Sequence, residues 1–88
     1  MAKLIEVNKT GKARALKRAP TFAEAQAHVG GFIETVTLPG VGVLLVNEDG
    51  LSKGLPLNLT ASRLAGKPLV GNVVLLETKA DIKRTLGD

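Results

Sequence analysis

His28 to Asn58 reads HVGGFIETVTLPGVGVLLVNEDGLSKGLPLN, and this stretch decides the fold. Phe32 to Leu38 is rich in β-branched and aromatic residues, with Ile33, Thr35 and Thr37 on one face and Phe32, Val36 and Leu38 on the other, which predicts a strand. Pro39-Gly40 and Gly42 permit a tight reversal. Val41 to Val46 is almost continuously apolar, the pattern of a central strand buried on both faces, antiparallel to the first. Asn47-Glu48-Asp49-Gly50 then stops the strand with residues that tolerate turn conformations, and a loop runs to Pro56.

Working outward, Thr21 followed three residues later by Glu24 is a capping box, so a helix of at most three turns begins at Phe22. Phe22, Ala25, Gln26 and Val29 share one face, with Phe22 and Val29 as its expected buried anchors, and Gly30-Gly31 supplies a left-handed exit. Upstream, Lys3 to Asn8 and Lys12 to Lys17 alternate around a turn at Lys9-Thr10-Gly11 and predict a hairpin, although Gly11 to Ala19 also admits a helix. Downstream, Asn58 can cap a short helix over Leu59 to Ala65, closed by Gly66 and Pro68, with Leu59 and Leu64 facing inward. Leu69 to Glu77 reads as the last core strand. In Thr78 to Leu86, Ile82 and Leu86 lie one turn apart, so the segment is a terminal helix or a fraying tail.

The sum is a small α+β domain with a mostly antiparallel sheet of about five strands and one packed helix, a β-grasp-like outline. Its 88 residues allow one domain, divided into a basic hairpin (1–20), a core (21–77) and a tail or short helix (78–88). A chain of this size with no cysteine has no disulfide to support it, so aliphatic packing or homodimerisation must supply stability. The missing thiols also exclude cysteine catalysis and zinc-finger sites. No stretch has the length of a membrane span or the core of a signal peptide, which makes the cytoplasm the expected location.

Charge is distributed unevenly. Residues 1–20 carry Lys3, Lys9, Lys12, Arg14, Lys17 and Arg18 against Glu6 alone, a net +5, while the rest of the chain sums to −1. Lys12, Arg14, Lys17 and Arg18 are therefore the candidate anion- or nucleic-acid-binding residues. Against nucleic acid stands the scarcity of rings for base stacking: only Phe22 and Phe32 are present, and both are expected in the core.

Four motifs recur in a recognisable order: Val29-Gly30-Gly31-Phe32-Ile33-Glu34, Leu45-Val46-Asn47-Glu48-Asp49-Gly50, Gly54-Leu55-Pro56-Leu57-Asn58 and Gly71-Asn72-Val73-Val74-Leu75. Over residues 21–76 this succession resembles a family of small phage and mobile-element proteins defined as a domain of unknown function. There a helix leads into a Gly-Gly-Tyr/Phe-Ile-Glu strand, a second strand ends in Asn-Glu-Glu/Asp-Gly, and a Gly-Leu-Pro-x-Asn loop precedes the closing strand. The resemblance implies an accessory protein of a phage or related element acting in a bacterial cytoplasm. It brings no catalytic residues or cofactor with it, and the extension after Glu77 departs from the pattern.

No enzyme is legible. Glu48 and Asp49, with Glu34, could suggest acid–base chemistry or a cation, but neighbouring residues at a strand end diverge and a calcium loop needs more oxygen ligands at set intervals. His28, the only histidine, has no nucleophile at motif spacing, and the glycines form neither a P-loop nor a dinucleotide fingerprint. Neither metal nor cofactor is expected. The polar cluster Asn47, Glu48, Asp49, Asn58 and Arg63 around a proline-containing loop is the candidate site for a host protein or a small ligand, since binding groups concentrate on loops held by a rigid scaffold. Its structural alternative is a self-bonded loop in which Asn47 and Asn58 satisfy backbone groups. The expected function is thus non-enzymatic binding, with nucleic-acid binding by the basic hairpin, or a structural oligomer joined along an exposed strand edge, as alternatives.

Overall fold

The computed structural model describes residues 1–9 and 11–87; Thr10, in the expected first turn, and Asp88, in the expected tail, lie outside the described residues. Along the chain run β1 (Ala2–Ile5), β2 (Arg14–Ala15), α1 (Phe22–Val29), β3 (Ile33–Leu38), β4 (Gly42–Asn47), α2 (Leu59–Ala65), β5 (Val73–Leu76) and α3 (Lys79–Leu86). The strands form one sheet in the order β2-β1-β5-β4-β3, and every neighbouring pair is antiparallel. Two hairpins separated by α1 give the expected α+β class with a five-stranded antiparallel sheet, but three helices are present rather than one. β1 joins β5 antiparallel, through the register Ala2↔Leu76 to Ile5↔Val73, where a β-grasp sheet pairs its first and last strands parallel.

Alternation along the strands makes two cores. On one side Ala2, Leu4, Leu45, Val74 and Leu76 pack with Ala25 and Val29 of α1, and Ile82 and Leu86 of α3 lie against them. On the other, Ile5, Leu44, Val46, Val73 and Leu75 pack with Ala61 of α2 and Leu69. A sheet apolar on both faces needs cover on both, and the three helices supply it. The central strand is β5, every residue of which is buried, whereas β4, expected at the centre, lies second from the edge. The strand is shorter than expected because Asn58 N–H donates to Leu69 O and Leu57 bridges Val70, so residues 69–71 pair with the loop before α2.

Local chemistry explains the helix ends. Thr21 Oγ1 accepts from Glu24 N–H at 3.1 Å and Glu24 Oε1 accepts from Thr21 N–H at 2.9 Å, the capping box read from sequence. Gly30 takes φ 82° at the exit, where its N–H donates to Gln26 O. The terminal segment is helical: Thr78 caps α3, Arg84 Nε donates to Ala19 O at 2.9 Å, and the buried Thr85 hydroxyl donates to Pro20 O at 2.6 Å. At Gly42, φ is 151° and a Cβ would run into the Leu76 carbonyl, so only glycine lets β4 start this close to β5.

Four apolar residues expected in the core are outside it. Phe22 is 48 % exposed, because Ala19, Pro20 and the α3 residues bonded to them occupy the space beneath the start of α1. Phe32 is 67 % exposed, preceding an edge strand at a point that neither buried cluster reaches. Leu59 and Leu64 are exposed because α2 turns Asn58, Ala61, Ser62 and Ala65 inward; the short side chains let the helix lie close, and Ser62 Oγ accepts from Leu69 N–H at 2.8 Å.

The cap predicts a measurable effect. Thr21→Ala should cost about 1 kcal/mol of stability in urea unfolding. The Glu24 carboxyl is held below its ordinary range chiefly by the Thr21 N–H, with burial opposing and Arg18 assisting. A depressed folded pKa stabilises above the unfolded value and loses that contribution as pH falls through the folded one, so Glu24→Gln should flatten the stability profile below about pH 4.

Candidate functional site

Asn47 and Asn58, two polar residues of the candidate site, end up inside the protein. Asn47, the last residue of β4, is 5 % exposed; its Nδ2 donates to Val29 O at 3.0 Å and its Oδ1 accepts from Asp49 N–H at 2.8 Å. It closes the C-terminus of α1 and sets the turn after β4 in one step. Lys53 Nζ reaches Gly30 O at 3.4 Å beside it. Asn58 is 1 % exposed and bonded on every side: Nδ2 donates to Ile5 O and Gly71 O, both at 2.9 Å, while Oδ1 accepts from Ala61 N–H at 3.0 Å. The Gly-Gly, Asn-Glu-Asp-Gly and Gly-Leu-Pro-Leu-Asn motifs thus meet in two amide side chains that knit helix ends to strand ends.

With those amides occupied, Glu48 and Asp49 are the members of the cluster that face solvent beside a concavity. A groove of about 390 Å³ opens on the α2 side of the sheet, lined by Glu34 and Val36 of β3, Val46 at the end of β4, Glu48 to Ser52, and Lys67 to Val70. Alternation explains the floor: Glu34 pairs with Val46 and Val36 with Leu44, so these four side chains share a face. The walls are held by backbone bonds. Lys53 N–H donates to Asp49 O at 2.9 Å, Leu55 N–H to Gly50 O at 3.0 Å, and Gly71 N–H to Pro56 O at 2.8 Å. The result is a preformed concavity with valines in its floor, three carboxylates and one lysine.

Arg63 is exposed on α2 and does not line this groove. Nor do the four basic residues form one surface. Lys12 and Arg14 border a depression with Leu4, Glu6, Lys9 and Ala13, whereas Lys17 and Arg18 border another with Leu16, Pro20, Glu24 and His28. Two of the cations have internal partners: Arg14 Nε lies 3.7 Å from Glu6 and Arg18 Nη2 lies 3.5 Å from Glu24. Such exposed pairs contribute little stability, but they reduce the positive field available to a polyanion. Among the described residues no group of three or more His, Cys, Asp or Glu could hold a metal ion, and no helix is long and apolar enough to cross a membrane.

Lys67, Val36, Val46 and Pro68 escaped sequence reasoning as groove residues, because they lie on segments far apart along the chain. The one available signal was the parity of β3 and β4, which puts Glu34, Val36 and Val46 on one face once the hairpin register is known.

Asn58 provides a test of its structural role. Asn58→Ala removes a cap, takes the donor from the Gly71 carbonyl and leaves the Ile5 carbonyl with only its β5 ladder partner, an expected cost of about 2–4 kcal/mol. Asn58→Asp keeps the shape and the cap acceptor but turns a carboxylate toward the Ile5 and Gly71 carbonyls, so it should destabilise at least as much at neutral pH and recover in part in acid. Urea midpoints at pH 7 and pH 4 measure both.

Searches of curated proteins and of solved structures return no match. A family model described as "Domain of unknown function (DUF3846)" matches residues 2–87, nearly the whole chain and well beyond the motif-bearing segment. The chain therefore belongs to the DUF3846 family.

Proposed function

We propose that the protein is a non-enzymatic binding module whose groove on the α2 side of the sheet receives a host protein segment or a small ligand, in the accessory role for a phage or mobile element that its motifs imply. The observation that carries this reading is the groove itself. Its volume of about 390 Å³ falls in the range of ligand sites, and it combines apolar floor residues with a few convergent polar groups. Glu34, Glu48 and Asp49 against Lys67 favour a cationic or amine-bearing occupant. Backbone bonds fix both walls, so little ordering entropy opposes binding.

Nucleic-acid binding through Lys12, Arg14, Lys17 and Arg18 is favoured by one observation, the half-exposed Phe22 ring at the start of α1, with Glu24 of the Arg18 pair two residues on. The ion pairs to Glu6 and Glu24 and the division of the four cations between two depressions count against it.

Capture from bacterial lysate, run in parallel with and without nuclease treatment, distinguishes the two. Glu48→Lys with Asp49→Lys should abolish retention of a discrete partner, while charge reversal at Arg14, Lys17 and Arg18 leaves it intact. Asn47 is kept, because its loss would release the α1 exit. Retention of nucleic acid alone, falling steeply with salt and lost on hairpin reversal, would overturn the groove reading in favour of the second.

A further inference from the structure

The two edges of the sheet are built differently. At one, β2 is two residues long and stands among Lys12, Arg14 and Lys17, which is how proteins protect an edge. At the other, β3 runs for six residues, Ile33–Leu38, with no proline, lysine or bulge within it. Its hydrogen-bond phase follows from one contact: Glu48 N–H donates to Phe32 O at 2.9 Å, so Phe32, Glu34, Val36 and Leu38 turn their backbone groups toward β4. Ile33, Thr35 and Thr37 turn theirs outward. Three N–H and three C=O groups therefore stand in a row, and no described segment pairs with them.

Resting on the groove reading above, we infer that β3 is a docking edge that takes an extended segment of a partner protein as a sixth strand, with Lys or Arg at alternate positions. Main-chain bonds to Ile33, Thr35 and Thr37 supply affinity, and side chains on alternate positions supply specificity, as in other strand-addition complexes. Charge complementarity selects the basic segment. Residues 32–50 contain Glu34, Glu48 and Asp49 and no Lys or Arg, and all three carboxylates line the groove that β3 borders. A strand laid against β3 has every second side chain beside Glu34 and Val36, on the groove side of the sheet. A second copy fits less well, since its own β3–β4 hairpin carries the same net −3.

Amide exchange tests this on the intact protein. The probe is acetyl-Thr-Lys-Val-Lys-Val-Lys-Thr-amide, with a control in which Glu replaces each Lys. At concentrations filling roughly nine-tenths of the sites, exchange at Ile33, Thr35 and Thr37 should slow about tenfold, with Glu34 and Val36 unchanged because β4 already protects them. Thr35→Pro removes an outward N–H without touching the β3–β4 ladder and should abolish the effect; Glu34→Lys should weaken it. No protection, or equal protection by the acidic peptide, would overturn the proposal. So would concentration-dependent protection of the same three amides without peptide, which would identify a second copy as the occupant. A lysate partner lost with the Glu48 and Asp49 substitutions but kept by Thr35→Pro would overturn edge docking alone; a partner kept by both would overturn the groove reading as well.

Discussion

The Asn58 carboxamide holds the structure together. Its two N–H groups end on Ile5 O, at the close of β1, and Gly71 O, just before β5, while its carbonyl starts α2. β1 and β5 are the second and the central strands of the sheet order, so one buried side chain sets the approach of these two neighbours and of the helix covering one of their faces. No other residue type does the same. Aspartate lacks the donors, glutamine is one methylene too long for the cap, and an apolar side chain takes the donor from the Gly71 carbonyl in the dry interior. The Asn58 backbone joins in as well, since its N–H donates to Leu69 O.

Asn47 repeats the device at the same end of the sheet, where the close of β4 lies level with Ile5 and Val73, tying the α1 exit at Val29 to the turn at Asp49. With these two amides in place the core itself can be plain. Apart from Asn47, Asn58 and Thr85, its buried members are apolar, and the helix side chains turned toward the sheet are often alanines. Small residues allow close approach and carry little conformational entropy to lose, which suits a domain with no disulfide. The same economy leaves bulk at the surface: Phe22, Leu59 and Leu64 are outside while alanines, a proline and an amide side chain hold the inner positions beside them.

Function, on this view, follows from what the scaffold leaves uncovered. The polar side chains with the strongest geometric constraints are structural, so the binding proposed above is assigned to what the scaffold leaves open, the carboxylates at the groove and the outward backbone of β3. Rigid walls beside an open edge are well matched to holding another chain, since both surfaces are set before the partner arrives.

Much of the fold was readable from local patterns. The Thr21–Glu24 box, the Gly30-Gly31 exit, the β3–β4 hairpin, the Asn58 cap and the α+β class all depend on residues within a few positions of one another, and each is present in the structure. The candidate site was legible only in part. Glu48 and Asp49 do line a groove, but Lys67 and Val36 join them from segments that the chain order keeps apart. Which amides serve the core, which leucines and phenylalanines stay out of it, and which strand is central are relations between distant segments. Spacing along the chain determined where helices, strands and turns begin and end, because capping, turn geometry and alternation act over a few residues; only tertiary packing decided which side chains lie inside and which surface is open, because burial and hydrogen-bond partnership depend on what the rest of the chain places opposite each residue.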